Sequence, residues 1–237
     1  MPQQIVHICA TGPVGFVYLS SRRKNLIRRS WPHRCVRVLM LVLAAYFSLH
    51  AHPLLANPVG PQVVAGGAQI ENAGRVVNIQ QTTDRAVINW QGFSIGAHEV
   101  TNFLQPSSSA SVLNRVTSGE ASRILGTLNA NGQVYVLNPA GVMIGNGAVV
   151  NVGSFMATTA NTDDGKFMGG GPLNFVGATE AGIVNQGTIR ANGGDVVLMA
   201  KTVKNEGLIQ APNGTAGLLA GQEFYVKKEE PGAIGVR

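Results

Sequence analysis

Two stretches near the carboxyl end of the chain are copies of one another. Asn185-Gln-Gly187-Thr-Ile189-Arg-Ala191 realigns on Asn205-Glu-Gly207-Leu-Ile209-Gln-Ala211 at an offset of 20 residues. The same offset carries Gly194, Leu198 and Ala200 onto Gly214, Leu218 and Ala220. Further back, Gly126-Thr-Leu-Asn-Ala-Asn-Gly132 matches Gly187-Thr-Ile-Arg-Ala-Asn-Gly193 at an offset of 61, which reads as about three periods. A unit this short cannot bury an apolar face by itself, so neighbouring units must stack into a solenoid. Short Val, Ile and Leu runs alternate with polar residues, end at Asn-Gly and Gly-Gly turns, and leave no helical pattern for a leucine-rich horseshoe. A parallel β-helix remains, each coil stacked about 4.8 Å above the last. Its inward Ile, Val and Leu form columns, and Asn185 and Asn205 fall at equivalent corners where an amide ladder can form.

This pattern occupies residues 57–237, which hold 28 of the 30 glycines. Val63 to Val77 reads as a cap, because an exposed terminal coil leaves strand edges unpaired. Asn161-Thr-Asp-Asp-Gly-Lys-Phe-Met-Gly-Gly-Gly-Pro172 breaks the period with turn chemistry, and with Leu173 to Val176 it predicts a hairpin projecting from the helix over 161–176.

The formal charge of +6 is misleading until it is located. Residues 1–56 carry seven basic residues and no acid; taking these from 18 leaves 11 against all 12 acids, so the body is close to neutral. That removes the main support for nucleic-acid binding. The basic segment ends at Arg37, and an uncharged core of 12 residues, Val38 to Leu49, follows. As a helix that core spans roughly 18 Å, short of a bilayer core of about 30 Å. Residues 1–56 therefore read as a signal peptide with an extended basic front, cleaved after Ala56 or alternatively after Ala51. Both cysteines, Cys9 and Cys35, lie in this leader, which leaves the exported part without disulfides.

Val134-Tyr-Val-Leu-Asn138-Pro139-Ala140-Gly141-Val142-Met-Ile-Gly145 is strand, tight turn and strand. Pro139 fixes φ, Asn138 can bond its own backbone, and Gly141 can take the positive φ that ends the turn. Together with Ile88-Asn-Trp90-Gln-Gly-Phe93, Ser111-Val-Leu-Asn114-Arg115-Val116-Thr117, Val203-Lys-Asn205-Glu-Gly207 and Leu218-Leu-Ala-Gly-Gln222, it resembles the secretion domain (haemagglutination activity domain) of two-partner-secreted exoproteins. These are the filamentous haemagglutinins and high-molecular-weight adhesins of Gram-negative bacteria. The family's usual turn is Asn-Pro-Asn-Gly-Ile/Leu, so Ala140 and Val142 are departures. A second family motif, Asn-Pro-Asn-Leu, is absent, and Gln105-Pro106-Ser107-Ser108 stands about where it would be.

The resemblance implies an all-β, right-handed, single-stranded parallel β-helix with an amino-terminal cap. It also implies export across the inner membrane by the general machinery and transient passage through the periplasm. There an outer-membrane β-barrel transporter with periplasmic polypeptide-binding domains would recognise the chain, and the β-helix would begin folding outside. Candidate recognition residues are Asn138, Pro139, Ala140, Gly141 and Val142, with Asn114, Arg115 and Val116 serving recognition or support of the cap. Arg115 would be solvated, or paired with Glu120 or a backbone carbonyl. An adhesive solenoid surface, binding host surfaces or glycans, is the competing reading. A β-helix enzyme needs clustered carboxylates or a Ca²⁺ site, but here only Asp163 and Asp164 are adjacent, and His98 is the sole histidine beyond residue 52. The expectation is no catalysis, no cofactor and no metal.

Overall fold

The computed structural model describes residues 57–226; the leader, with Ala56 and both cysteines, and residues 227–237 lie outside the described residues. The chain opens with β1 (Gln62–Ala65) and β2 (Ala68–Ala73), then winds into coils. The first coil is β3 (Val76–Gln81) and β4 (Arg85–Trp90). The second is β5 (Val100–Leu104), β6 (Ser111–Val116) and β7 (Ser122–Ile124); the third is β8 (Thr127–Ala130), β9 (Gln133–Leu137) and β10 (Val142–Ile144). In the fourth, β11 (Val149–Val152) and β12 (Ser154–Thr158) are separated from β14 (Gly182–Asn185) by an excursion holding α1 (Asp164–Gly169) and β13 (Leu173–Phe175). The fifth is β15 (Thr188–Ala191), β16 (Val196–Ala200) and β17 (Thr202–Asn205). The sixth is β18 (Leu208–Gln210) and β19 (Ala216–Ala220), after which the chain leaves the coil path as β20 (Phe224–Val226).

Strands of successive coils pair in parallel and build three sheets. Sheet A runs β2-β3-β5-β8-β11-β15-β18, sheet B runs β1-β4-β6-β9-β12-β16-β19, and sheet C runs β7-β10-β14-β17. Only β1 on β4 and β2 on β3 are antiparallel among these pairs, so the first seven-stranded edges are closed by reversed strands. The result is a parallel β-helix with an amino-terminal cap.

The register explains the repeat. Ile189 pairs with Ile209, Leu198 with Leu218 and Asn185 with Asn205, each at the 20-residue step seen in the sequence. Earlier coils are longer: the step from Asn78 to Asn102 is 24 residues and from Asn102 to Asn129 is 27. The 61-residue match is two coils and not three, because Thr127 and Thr188 are both aligned with Val149. The excursion fills the missing period. Inside, Ala86, Val112, Val134, Phe155 and Val196 stack in one column, and Ile124 and Ile144 in another. All are buried. The corner from sheet C to sheet A is so tight that a Cβ on Gly207 would lie 2.1 Å from the Gly187 carbonyl oxygen. Only glycine permits that approach.

The excursion leaves and rejoins the coils as an extra-helical hairpin, closed where Asn161 and Val176 exchange antiparallel backbone hydrogen bonds at 2.9 Å. It carries a helix, however, and folds onto sheet B. The Asp163 and Gly170 turn signals are helix caps: the Asp163 carboxylate accepts from the Lys166 amide, and Gly170 closes α1 in the left-handed region at φ 72°. β13 then pairs antiparallel with β20, more than forty positions later. The excursion is held there by sheet B, whose outer face carries an apolar stripe beside Arg85 and Arg115. In β16, Val196 to Ala200, every residue is buried, as expected for a strand covered on both sides. Val87, Leu113, Leu137, Met156, Val197 and Met199 face outward and are covered by Phe167, Leu173, Phe175 and Phe224. Tyr135 packs edge-on to Phe167 at 5.3 Å, and burial pushes its phenol above the ordinary value. Arg85 lies over the Phe167 ring at 5.6 Å and donates to the Phe167 carbonyl at 3.2 Å.

Two stability measurements follow from this packing. Leu198→Ala, in the inner column, is expected to lower unfolding free energy by about 2–5 kcal/mol in urea titration, since the rigid neighbours leave a cavity. Phe167→Ala is expected to expose the 161–181 segment to protease while the β-type circular dichroism persists. Uncut protein under conditions that leave wild type intact would show that the aromatic contact does not hold the excursion.

Candidate functional site

The Asn138 turn occupies the corner between sheets B and C. Asn138 is fully buried at 0% exposure. Its backbone amide donates to the Thr158 carbonyl of the next coil at 2.9 Å, and its own carbonyl accepts from Gly141 at 2.9 Å, closing a four-residue turn. Its side-chain oxygen accepts from the Ala140 amide at 2.9 Å. Its side-chain nitrogen donates to the Glu120 carbonyl at 3.0 Å and the Ser122 hydroxyl at 2.9 Å, both on the preceding coil. Gly141 has φ 104° and no other residue of the turn has a positive φ. Val142 points into the core, and only Pro139 and Ala140 reach the surface. The Thr179 hydroxyl donates to the Pro139 carbonyl at 2.6 Å, tying the turn to the end of the excursion.

Asn114, Arg115 and Val116 lie one coil earlier on β6, alternating inward, outward and inward. Asn114 takes a core position between Ile88 and Val136. The Trp90 indole donates to its oxygen at 2.9 Å, and its nitrogen donates to the Tyr135 carbonyl at 3.2 Å. Arg115 points out and docks the excursion, not the cap and not Glu120. It donates to the Asn161 side-chain oxygen at 2.9 Å, the Thr162 carbonyl at 2.9 Å and the Asp164 carboxylate at 2.6 Å. The two motifs thus sit on neighbouring strands but serve different surfaces: Asn138 joins coil to coil, and Arg115 joins coil to excursion.

Gln105, noted in the sequence only as a motif out of pattern, holds the corner between sheets A and B. Its nitrogen donates to Gln81 at 3.0 Å and the Ala110 carbonyl at 3.1 Å, and its oxygen accepts from the Gly132 amide at 2.9 Å. Its backbone exchanges hydrogen bonds with the Asn131 side chain at 2.7 and 2.8 Å. Asn185 donates to Asn205 at 2.7 Å on the third corner. Each corner is therefore held by a buried or half-buried amide following a strand. That common signal, legible in Asn185 and Asn205, also marks Gln81, Gln105 and Asn138. Partners such as Trp90, Glu120 and Ser122 carried no local signal. Chemically the arrangement consists of amides, hydroxyls and backbone groups, suited to holding a chain path. Among the described residues no three His, Cys, Asp or Glu side chains gather as a metal site would.

The TPS secretion domain family model matches residues 57–233. The chain is 36% identical over 194 residues to the heme/hemopexin-binding protein of Haemophilus influenzae, covering 78% of this chain and 21% of that protein. A second Haemophilus influenzae protein of the same name is 45% identical over 87 residues, 37% of this chain and 9% of its own length. The chain thus spans about a fifth or less of these relatives. Among solved structures, the HMW1 secretion domain of Haemophilus influenzae superposes with TM-score 0.65 at 33% identity, covering 75% of this chain and 50% of that one. The filamentous hemagglutinin secretion domain gives TM-score 0.55 at 20% identity over 76% of this chain and 70% of its own, which supports the fold alone. With the β-helix, its cap and its corner turns in place, the chain belongs to the TPS family, the secretion domains of two-partner-secreted exoproteins.

Proposed function

We propose that residues 57–237 form the module by which an outer-membrane transporter selects this exoprotein, and that the same residues start its β-helix once outside. Family membership implies an exported protein and an outer-membrane transporter partner. The observation that carries the finer reading is the polarity of the solenoid. One end is closed by antiparallel β1 and β2. At the other, β17, β18 and β19 pair with the preceding coil and have no following strand among the described residues. Leu208 and Leu218 there are each 47% exposed. A solenoid closed at its amino end grows one way, by adding coils.

The buried state of Asn138 and Asn114 places a condition on recognition. Neither side chain is accessible once the coils close, so a transporter that reads them reads the chain before folding. An extended chain offers its backbone as an added strand to a partner sheet. In the folded domain the same turn presents Pro139 and Ala140 instead.

Co-expression of the full chain with a two-partner transporter is expected to release it into the medium only when the transporter is present; equal release without it overturns the proposal. Asn138→Ala separates the roles. It removes the partner of a buried carbonyl and a hydroxyl, so unfolding free energy should fall by about 1–3 kcal/mol. Lost export at an unchanged urea midpoint would assign Asn138 to recognition alone, and a lowered midpoint with normal export to folding alone.

A further inference from the structure

The sequence contains four Asn-Gly pairs: Asn131-Gly132, Asn146-Gly147, Asn192-Gly193 and Asn213-Gly214. Such a pair can react with itself. The glycine backbone nitrogen attacks the carbonyl carbon of the asparagine side chain, ammonia leaves, and a cyclic succinimide forms. Water then opens the ring to aspartate or isoaspartate. Glycine lifts the steric barrier at every pair, since no Cβ hinders the approach. The fold sets the remaining conditions. The glycine N–H must be free to lose its proton, and the asparagine amide must be free to swing onto the nitrogen.

Three of the pairs fail both conditions. The Gly132 N–H donates to the Gln105 side-chain oxygen at 2.9 Å, and the Asn131 side chain is bonded to the Gln105 backbone at 2.7 and 2.8 Å. The Gly193 N–H donates to the Gly153 carbonyl at 3.0 Å, and the Asn192 side chain donates to Asn151 at 2.8 Å. The Gly214 N–H donates to the Ala211 carbonyl at 3.2 Å, and the Asn213 side chain donates to the Asn192 carbonyl at 3.0 Å. In each case the asparagine is tied to the preceding coil. The fourth pair differs. Asn146 and Gly147 are both exposed, at the corner between β10 and β11. The Ala148 amide closes that turn on the Gly145 carbonyl at 3.1 Å. Neither the Gly147 N–H nor the Asn146 side chain has a hydrogen-bond partner among the described residues. A Cβ on Gly147 would meet nothing within 4 Å, so the corner stands open to water.

We propose that Asn146 is a site of spontaneous deamidation in the folded domain, and that stacking of the coils protects the other three Asn-Gly pairs. The product places a new carboxylate on a body that is otherwise close to neutral. In the isoaspartyl form the corner backbone also gains one methylene. Nothing packs against Gly147, so the turn absorbs the change and the product accumulates in protein whose coils remain stacked. The chemistry needs only water and is independent of how the chain is exported.

The test is incubation of the purified folded chain at mildly alkaline pH, followed by peptide mapping by mass spectrometry. A parallel sample is held in guanidinium chloride, and incubation lasts until that denatured sample has converted. In the folded chain, conversion at Asn146 is expected at least about tenfold faster than at Asn131, Asn192 or Asn213, each of which must first break its hydrogen bonds. In guanidinium the four rates should converge. Asn146→Gln, whose longer side chain closes the ring poorly, should remove the product while thermal unfolding stays as in wild type. A protected pair converting as fast as Asn146 in the folded chain overturns the proposal. So does an intact Asn146 in the folded chain once the denatured chain has converted. The same selectivity in guanidinium also overturns it, by tracing the preference to local sequence.

Discussion

The coils of this domain are held by parallel pairing between one and the next. A lone coil satisfies almost none of its backbone hydrogen bonds and buries little of its apolar stripe, so it has no stable existence alone. Stacking resolves both problems together: main-chain groups pair up and down the axis, and Ala86, Val112, Val134, Phe155 and Val196 close the interior. The same rule makes the two ends special. The reversed strands β1 and β2 terminate the stack at one side, and at the other the sixth coil has no following strand among the described residues, where Leu208 and Leu218 are exposed.

Corners are where this scheme is under most stress, since a bending chain takes its amides and carbonyls out of the ladder. Buried polar groups left unpaired are costly. Gln81, Gln105, Asn138 and Asn185 meet that need with side-chain amides, which both donate and accept. The hallmark turn belongs to this set. Ala140 stands at its surface, so replacing the family's second Asn leaves the Asn138 network and the positive φ of Gly141 intact.

The fold was legible because stacked coils impose a translational period on the sequence. Ile189/Ile209 and Leu198/Leu218 show it directly, and the cap region was visible where the period had not begun. What the sequence hid has a common cause. The 61-residue match looked like three periods because an insertion of nearly one period fell inside it. The hairpin was legible in outline but the helix inside it was not, because Asp163 and Gly170 suit a turn and a helix cap equally. What decides between them is an apolar outer face on sheet B, contributed by strands from 87 to 199. Likewise Arg115 gave no local hint that its partners are Asn161, Thr162 and Asp164, since nothing local links residues 46 to 49 apart.

Those distant links change the thermodynamic character of the solenoid. A pure stack of coils is a one-dimensional chain of nearest-neighbour couplings, free to fray from either end one coil at a time. Here Arg85 reaches Phe167 across 82 positions, and β20 at the sixth coil pairs with β13 of the fourth-coil excursion. First, middle and last coils are thereby coupled through a single flank. Loss of any one coil strips contacts from the others, a coupling beyond nearest neighbours that a pure stack lacks.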